Sequence, residues 1–85
     1  MLTEKQKEIL EALDKATELF VSGEDMYGGK MYDASRKAIN SFPSLAPGLD
    51  KLAKAVRRYE DTVDDGSGLL KAAHNFVFAN WEWSK

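Results

Sequence analysis

Apolar residues recur along this chain at intervals of three and four, and the recurrence breaks at three places. Leu2, Ile9, Leu13, Ala16 and Phe20 fall within one narrow arc at 100° per residue, flanked by Leu10 and Val21. Thr3, with Gln6 three residues on, has the form of a capping box, in which each side chain satisfies a backbone donor at a helix start. Gly23 supplies a stop, so the first predicted helix runs from about Thr3 to Gly23. The stretch SGEDMYGG, residues 22–29, has no sustained period and predicts a loop carrying Met26 and Tyr27. These two side chains either form a contact patch or fold back as a lid over one end of the protein.

The period returns at Lys30. Met31, Ser35, Ala38 and Phe42 share a face, with Tyr32 and Ile39 beside it, Asp33, Arg36, Lys37 and Asn40 opposite, and Pro43 as the stop. Both prolines lie in the corner PSLAPG, and Pro47 suits the first turn of the next helix because its missing N–H has no intrahelical partner there anyway. Leu49, Leu52, Val56, Tyr59 and Val63 are then spaced 3, 4, 3 and 4, the narrow seam of a bundle helix. Asp64, Asp65, Gly66, Ser67 and Gly68 break the pattern again. A last helix is predicted from Ser67 or Leu69 to Trp83, with apolar residues spread over about 200° of arc, against about 100° for a surface helix. Such a helix is buried on several sides or faces a partner.

Four amphipathic segments, short connections and no strand-like alternation predict an all-α fold: a compact antiparallel bundle of three or four short helices. The rival is an extended helical hairpin that completes its core as a homodimer. At 85 residues the chain has room for one hydrophobic core, so residues 1–85 are read as a single helical domain. With 44 % hydrophobic and 31 % charged residues, it has the composition of an ordinary soluble domain. The absence of cysteine excludes disulfides and thiol chemistry and favours a reducing cytoplasm. No signal-peptide pattern opens the chain, and no run approaches the ~20 apolar residues of a membrane span.

Charge changes this picture, because the net −2 conceals blocks. Residues 1–25 carry three lysines against seven acids; residues 26–58 carry seven lysines or arginines against Asp33 and Asp50; residues 59–68 carry Glu60, Asp61, Asp64 and Asp65 with no base. Lys51, Lys54 and Arg58, with Arg57 nearby, lie opposite the third helix's apolar seam, which makes them either a solvated face or a phosphate-contacting one. Arg36 and Lys37 could extend that face.

Catalytic and metal signatures are weak. From Asp61 the sequence DTVDDGSGLLKA matches an EF-hand loop at positions one, five and six, but places Val63 and Ala72 where oxygen ligands are required. His74, the sole histidine, borders the apolar face and reads as a packed residue; a dyad would need a carboxylate or nucleophile beside it. Neither Gly28-Gly29 nor Gly66-Ser67-Gly68 extends to a phosphate-cradling motif. No enzymatic activity, cofactor or metal is expected.

The sharpest signal is aromatic. Phe76, Phe78, Trp81 and Trp83 occupy eight consecutive positions. Phe76 and Trp81 fit the core, whereas Phe78 points outside the apolar arc and Trp83 sits at the helix end, as contacts to another chain would. Asn80 points into the apolar face, where a buried amide can fix register. The function expected is a small non-catalytic protein-binding module, the architecture shared by inhibitors, immunity proteins, antitoxins and adaptors. It would act through Phe78, Trp81, Trp83, Met26 and Tyr27, with Glu60, Asp61, Asp64 and Asp65, or the acids of the first helix, steering a basic partner. The alternative is a nucleic-acid-binding protein that uses Lys51, Lys54, Arg57 and Arg58.

Overall fold

The computed structural model describes residues 2–62 and 65–83, the side chains of 82 and 83 excepted. Four helices follow one another: α1 (Glu4–Val21), α2 (Gly29–Ser41), α3 (Leu49–Asp61) and α4 (Ser67–Trp83). The capping box forms as expected, with Gln6 N–H donating to Thr3 Oγ1 at 3.1 Å and Thr3 N–H donating to Gln6 Oε1 at 2.9 Å. At the start of α2, Gly28 offers no side-chain cap, and the Asp25 carboxylate takes the Lys30 N–H instead at 3.0 Å. Pro47 departs from expectation. The left-handed Gly48 stands between it and α3, so the proline belongs to the corner and not to the first helical turn.

Neighbouring helices run antiparallel. Gln6 at the start of α1 donates to the Ser41 carbonyl at the end of α2 (3.4 Å), and Arg36 on α2 meets Glu60 at the end of α3. The helices close into a ring in chain order; α2 and α4 also touch across the middle, whereas α1 and α3 stay apart among the described residues. One end carries the 22–28 and 62–66 connections. The other carries the 42–48 corner and the C-terminal end of α4.

The core is made from the predicted faces, with Ala34 added on α2: Ile9, Leu10, Leu13 and Ala16 from α1, Met31, Ala34 and Ala38 from α2, Leu49, Leu52 and Val56 from α3, and Leu69, Ala73, Phe76 and Val77 from α4. Phe42, from the corner, meets Phe76 edge-on with ring centroids 5.0 Å apart. The wide apolar arc of α4 is accounted for by packing against all three other helices. The radius of gyration is 11.8 Å, against about 12 Å for a compact single domain of this length, so the extended hairpin is not the architecture. Val63, the last residue of the α3 seam, lies outside the described residues.

Two close approaches set the ends. Gly66, at φ +87°, lets the Phe20 ring lie against its backbone: a Cβ there would stand 2.8 Å from Phe20 Cζ. At the opposite end Asn80, fully buried, donates from Nδ2 to the Pro47 carbonyl at 2.9 Å and to the Phe76 carbonyl at 2.8 Å, which ties the corner to α4.

Candidate functional site

The outer ridge of α4 is built by helical spacing. Lys71, Asn75 and Phe78 stand at i, i+4 and i+7 and therefore form one stripe, with Leu69, Ala73, Phe76 and Val77 turned inward. Phe78 is 64 % exposed, whereas Phe76, two residues away, is fully buried. Trp81 is half-buried and packs against the core, so its ring is shared between interior and surface. The side chain of Trp83 lies outside the described residues.

Two grooves flank this ridge. Between α1 and α4, Asp14 and Glu18 stand across from Lys71 and His74. His74 is exposed there, not packed as expected, because the helix turns it past the apolar boundary toward α1. Between α3 and α4 runs a groove of about 430 Å³ in which Lys51, Lys54 and Arg58 form one bank and Lys71 the other. Its floor is Ala55, Leu69 and Ala72, and no acid is among the described residues lining it. Asp50 stands outside it, 3.4 Å from Lys54 Nζ in an exposed pair one helical turn apart.

Arg57 is separated from this groove; its charge acts on Glu60 instead. Glu60 is engaged at the outer α2/α3 seam. Tyr32 Oη donates to its carboxylate, and Arg36 Nη1 donates to the same oxygen at 2.6 Å and to Tyr32 Oη at 3.0 Å. Tyr59 stacks on Tyr32 with centroids 5.5 Å apart, and its hydroxyl donates to the Tyr27 carbonyl. The hydrogen bond from Tyr32 is the main reason the Glu60 carboxyl is held below its ordinary value; burial opposes this and the Arg36 charge adds to it. The same hydrogen bond raises the Tyr32 phenol, and contact with Tyr32 raises the Arg36 guanidinium.

The other acids expected to form a rim have divided roles. The Asp65 carboxylate accepts the Ser67 N–H at the start of α4 (2.9 Å), Asp61 is exposed, and Asp64 lies outside the described residues. Met26 and Tyr27 are 73 % and 83 % exposed, so their side chains do not close as a lid over the bundle end. They lie at the opposite end from the Phe78 half of α4, and the two sets do not form one surface. Leu45, at the tip of the 42–48 corner, is 93 % exposed and was not singled out by periodicity, because an isolated residue between two prolines has no period to belong to.

Sequence reasoning missed two features: the addition of Lys71 to the basic stripe of α3, and the Tyr32–Arg36–Glu60 network. The i, i+4 spacing of Tyr32 and Arg36 hinted at the second. Nothing within α3 alone announces which helix stands beside it. Comparison with protein families, with curated proteins and with solved structures finds no match to this chain.

Proposed function

We propose that the chain is a small, non-catalytic, cytoplasmic protein-binding module of the inhibitor, immunity, antitoxin or adaptor kind, and that its contact surface is the outer ridge of α4 centred on Phe78. The observation that supports this reading is a phenylalanine 64 % exposed on a helix whose inward face already supplies Phe76 to the core. An exposed aromatic on a rigid helix contributes large contact area at small entropic cost, which is why such residues dominate protein-binding hot spots. Half-buried Trp81 extends the surface toward the C-terminal end of α4, and Trp83, whose side chain lies outside the described residues, is proposed as a further contact. Met26 and Tyr27 form a separate patch that a large partner would also reach.

The test is paired. Phe78→Ala is expected to leave stability within about 0.5 kcal/mol of the parent, as for a surface residue, and to weaken capture of the partner by about 30-fold or more, as for a hot spot. Equal losses of stability and binding would make Phe78 a structural residue and remove the reading.

A second reading, nucleic-acid binding, is favoured by one observation: Lys71 joins Lys51, Lys54 and Arg58 around a groove whose described lining holds no acid. It requires affinity that falls steeply with salt and capture that disappears after nuclease treatment.

A further inference from the structure

The α3/α4 groove differs from its neighbours in the sign of its charge. The α1/α2 groove mixes Lys5 and Lys37 with Glu8, and the α1/α4 groove sets Asp14 and Glu18 against Lys71 and His74. Only cations occupy the charged positions of the described α3/α4 lining, on both banks, above a floor of alanine and leucine. We infer that this groove docks an acidic amphipathic helix of a protein partner, with carboxylates on the partner's flanks meeting Lys51, Lys54 and Lys71, and its apolar stripe resting on Ala55 and Ala72. The inference rests on the protein-binding reading and specifies the partner's chemistry.

Three features select that occupant. The groove lies between two antiparallel helices, α3 being 13 residues or about 20 Å long, so a third helix can lie along it as a ridge between ridges. Small residues, Ala55, Gly68 and Ala72, allow the partner's backbone to approach closely. Phe78 stands on the same outer ridge as Lys71 and Asn75, outside the described lining of the groove, where a docked helix that overhangs the ridge meets an aromatic side chain. Charge attraction from two banks fixes orientation and speeds encounter, while the apolar floor supplies the non-directional part of the affinity.

A nucleic-acid duplex fits less well. It offers phosphates and no apolar stripe for the floor of Ala55, Leu69 and Ala72. A second copy fits less well too. Its acidic helix, α1, has already turned Ile9, Leu10, Leu13 and Ala16 into its own core and has no apolar stripe left to offer.

The experiment titrates three probes into the isotope-labelled full chain and follows its amide resonances: an 18-residue peptide with leucine at i, i+3, i+4 and i+7 and glutamate elsewhere, a scrambled peptide of the same composition, and a 20-base-pair DNA duplex. The patterned peptide is expected to saturate, to move amides of α3 and α4 around Ala55 and Ala72, and to bind about tenfold tighter than the scrambled one. Lys51→Glu with Lys71→Glu, checked for retained helicity, is expected to reduce its affinity by about tenfold or more. Tighter binding of the duplex, resonance shifts away from the groove, failure to saturate, indifference to the charge reversals, or a doubling of mass without peptide would each overturn the inference. If a captured cellular partner depends on Phe78 but not on Lys51 and Lys71, the groove assignment fails while the binding reading stands; a chain that captures no protein loses both.

Discussion

Phe76 and Phe78 are two residues apart on α4 and have opposite fates: one is fully buried against Phe42, the other is 64 % exposed. Truncating the first is expected to cost about 3–5 kcal/mol. That is a large share of the about 4–13 kcal/mol available to a domain of this size, so Phe76→Ala should be largely unfolded by circular dichroism at moderate denaturant. Truncating Phe78 should leave the same curve nearly unmoved. The contrast was legible in the sequence, because helical phase alone separates the two directions. Glu60 was not: it reads as one acid among four, and only the folding of α2 against α3 brings Tyr32 and Arg36 to it. Its depressed carboxyl contributes stability that is present above its ordinary value of 4.5 and is lost as the pH falls through the lower folded value. The raised Tyr32 phenol acts at the other end, its contribution being present below 10.0 and lost as the pH rises through the folded value. The difference in melting midpoint between the parent and Glu60→Gln is therefore expected to be steady near neutrality and to shrink below pH 4.5. A difference that does not shrink at all as the pH falls below 4.5 would mean the carboxylate is not held by this network.

At the scale of elements, the four helices and their inward faces follow from spacing, and the departures come from contacts between segments distant in sequence. Pro47 sits outside α3 behind the left-handed Gly48, and its carbonyl is held by Asn80, 33 residues away, a contact no local pattern encodes. Asn80→Ala removes a buried donor that binds two carbonyls and is expected to cost about 1–3 kcal/mol, with faster amide exchange in the 42–48 corner than in the rest of the bundle. Glycine positions offer a second check. Gly66 and Gly23 both adopt positive φ, +87° and +86°, but a Cβ at Gly66 meets the Phe20 ring whereas one at Gly23 meets nothing within 4 Å. Both alanine variants bear the left-handed backbone penalty of about 1–2 kcal/mol. Gly66→Ala must also displace Phe20, so its denaturation midpoint is expected below that of Gly23→Ala. The reverse order would show that Phe20 is not seated against Gly66.

For the molecule as a whole, folding sorts the charge blocks of the sequence into surfaces that no block displays alone. The basic block of α3 gains Lys71 from α4 and becomes a groove, while Glu60 of the acidic block joins a network at the α2/α3 seam and Asp65 accepts the Ser67 N–H at the start of α4. No helix among the described residues is long and apolar enough to cross a membrane. The proposed function stands or falls on Phe78 of α4 as a contact to another protein. Its most direct test is capture from nuclease-treated lysate of the source cell by tagged parent and Phe78→Ala proteins, side by side, with bound proteins quantified by mass spectrometry. One protein is expected to be strongly enriched by the parent and lost with Phe78→Ala. Equal enrichment by both, or no enrichment once nucleic acid is removed, would contradict it.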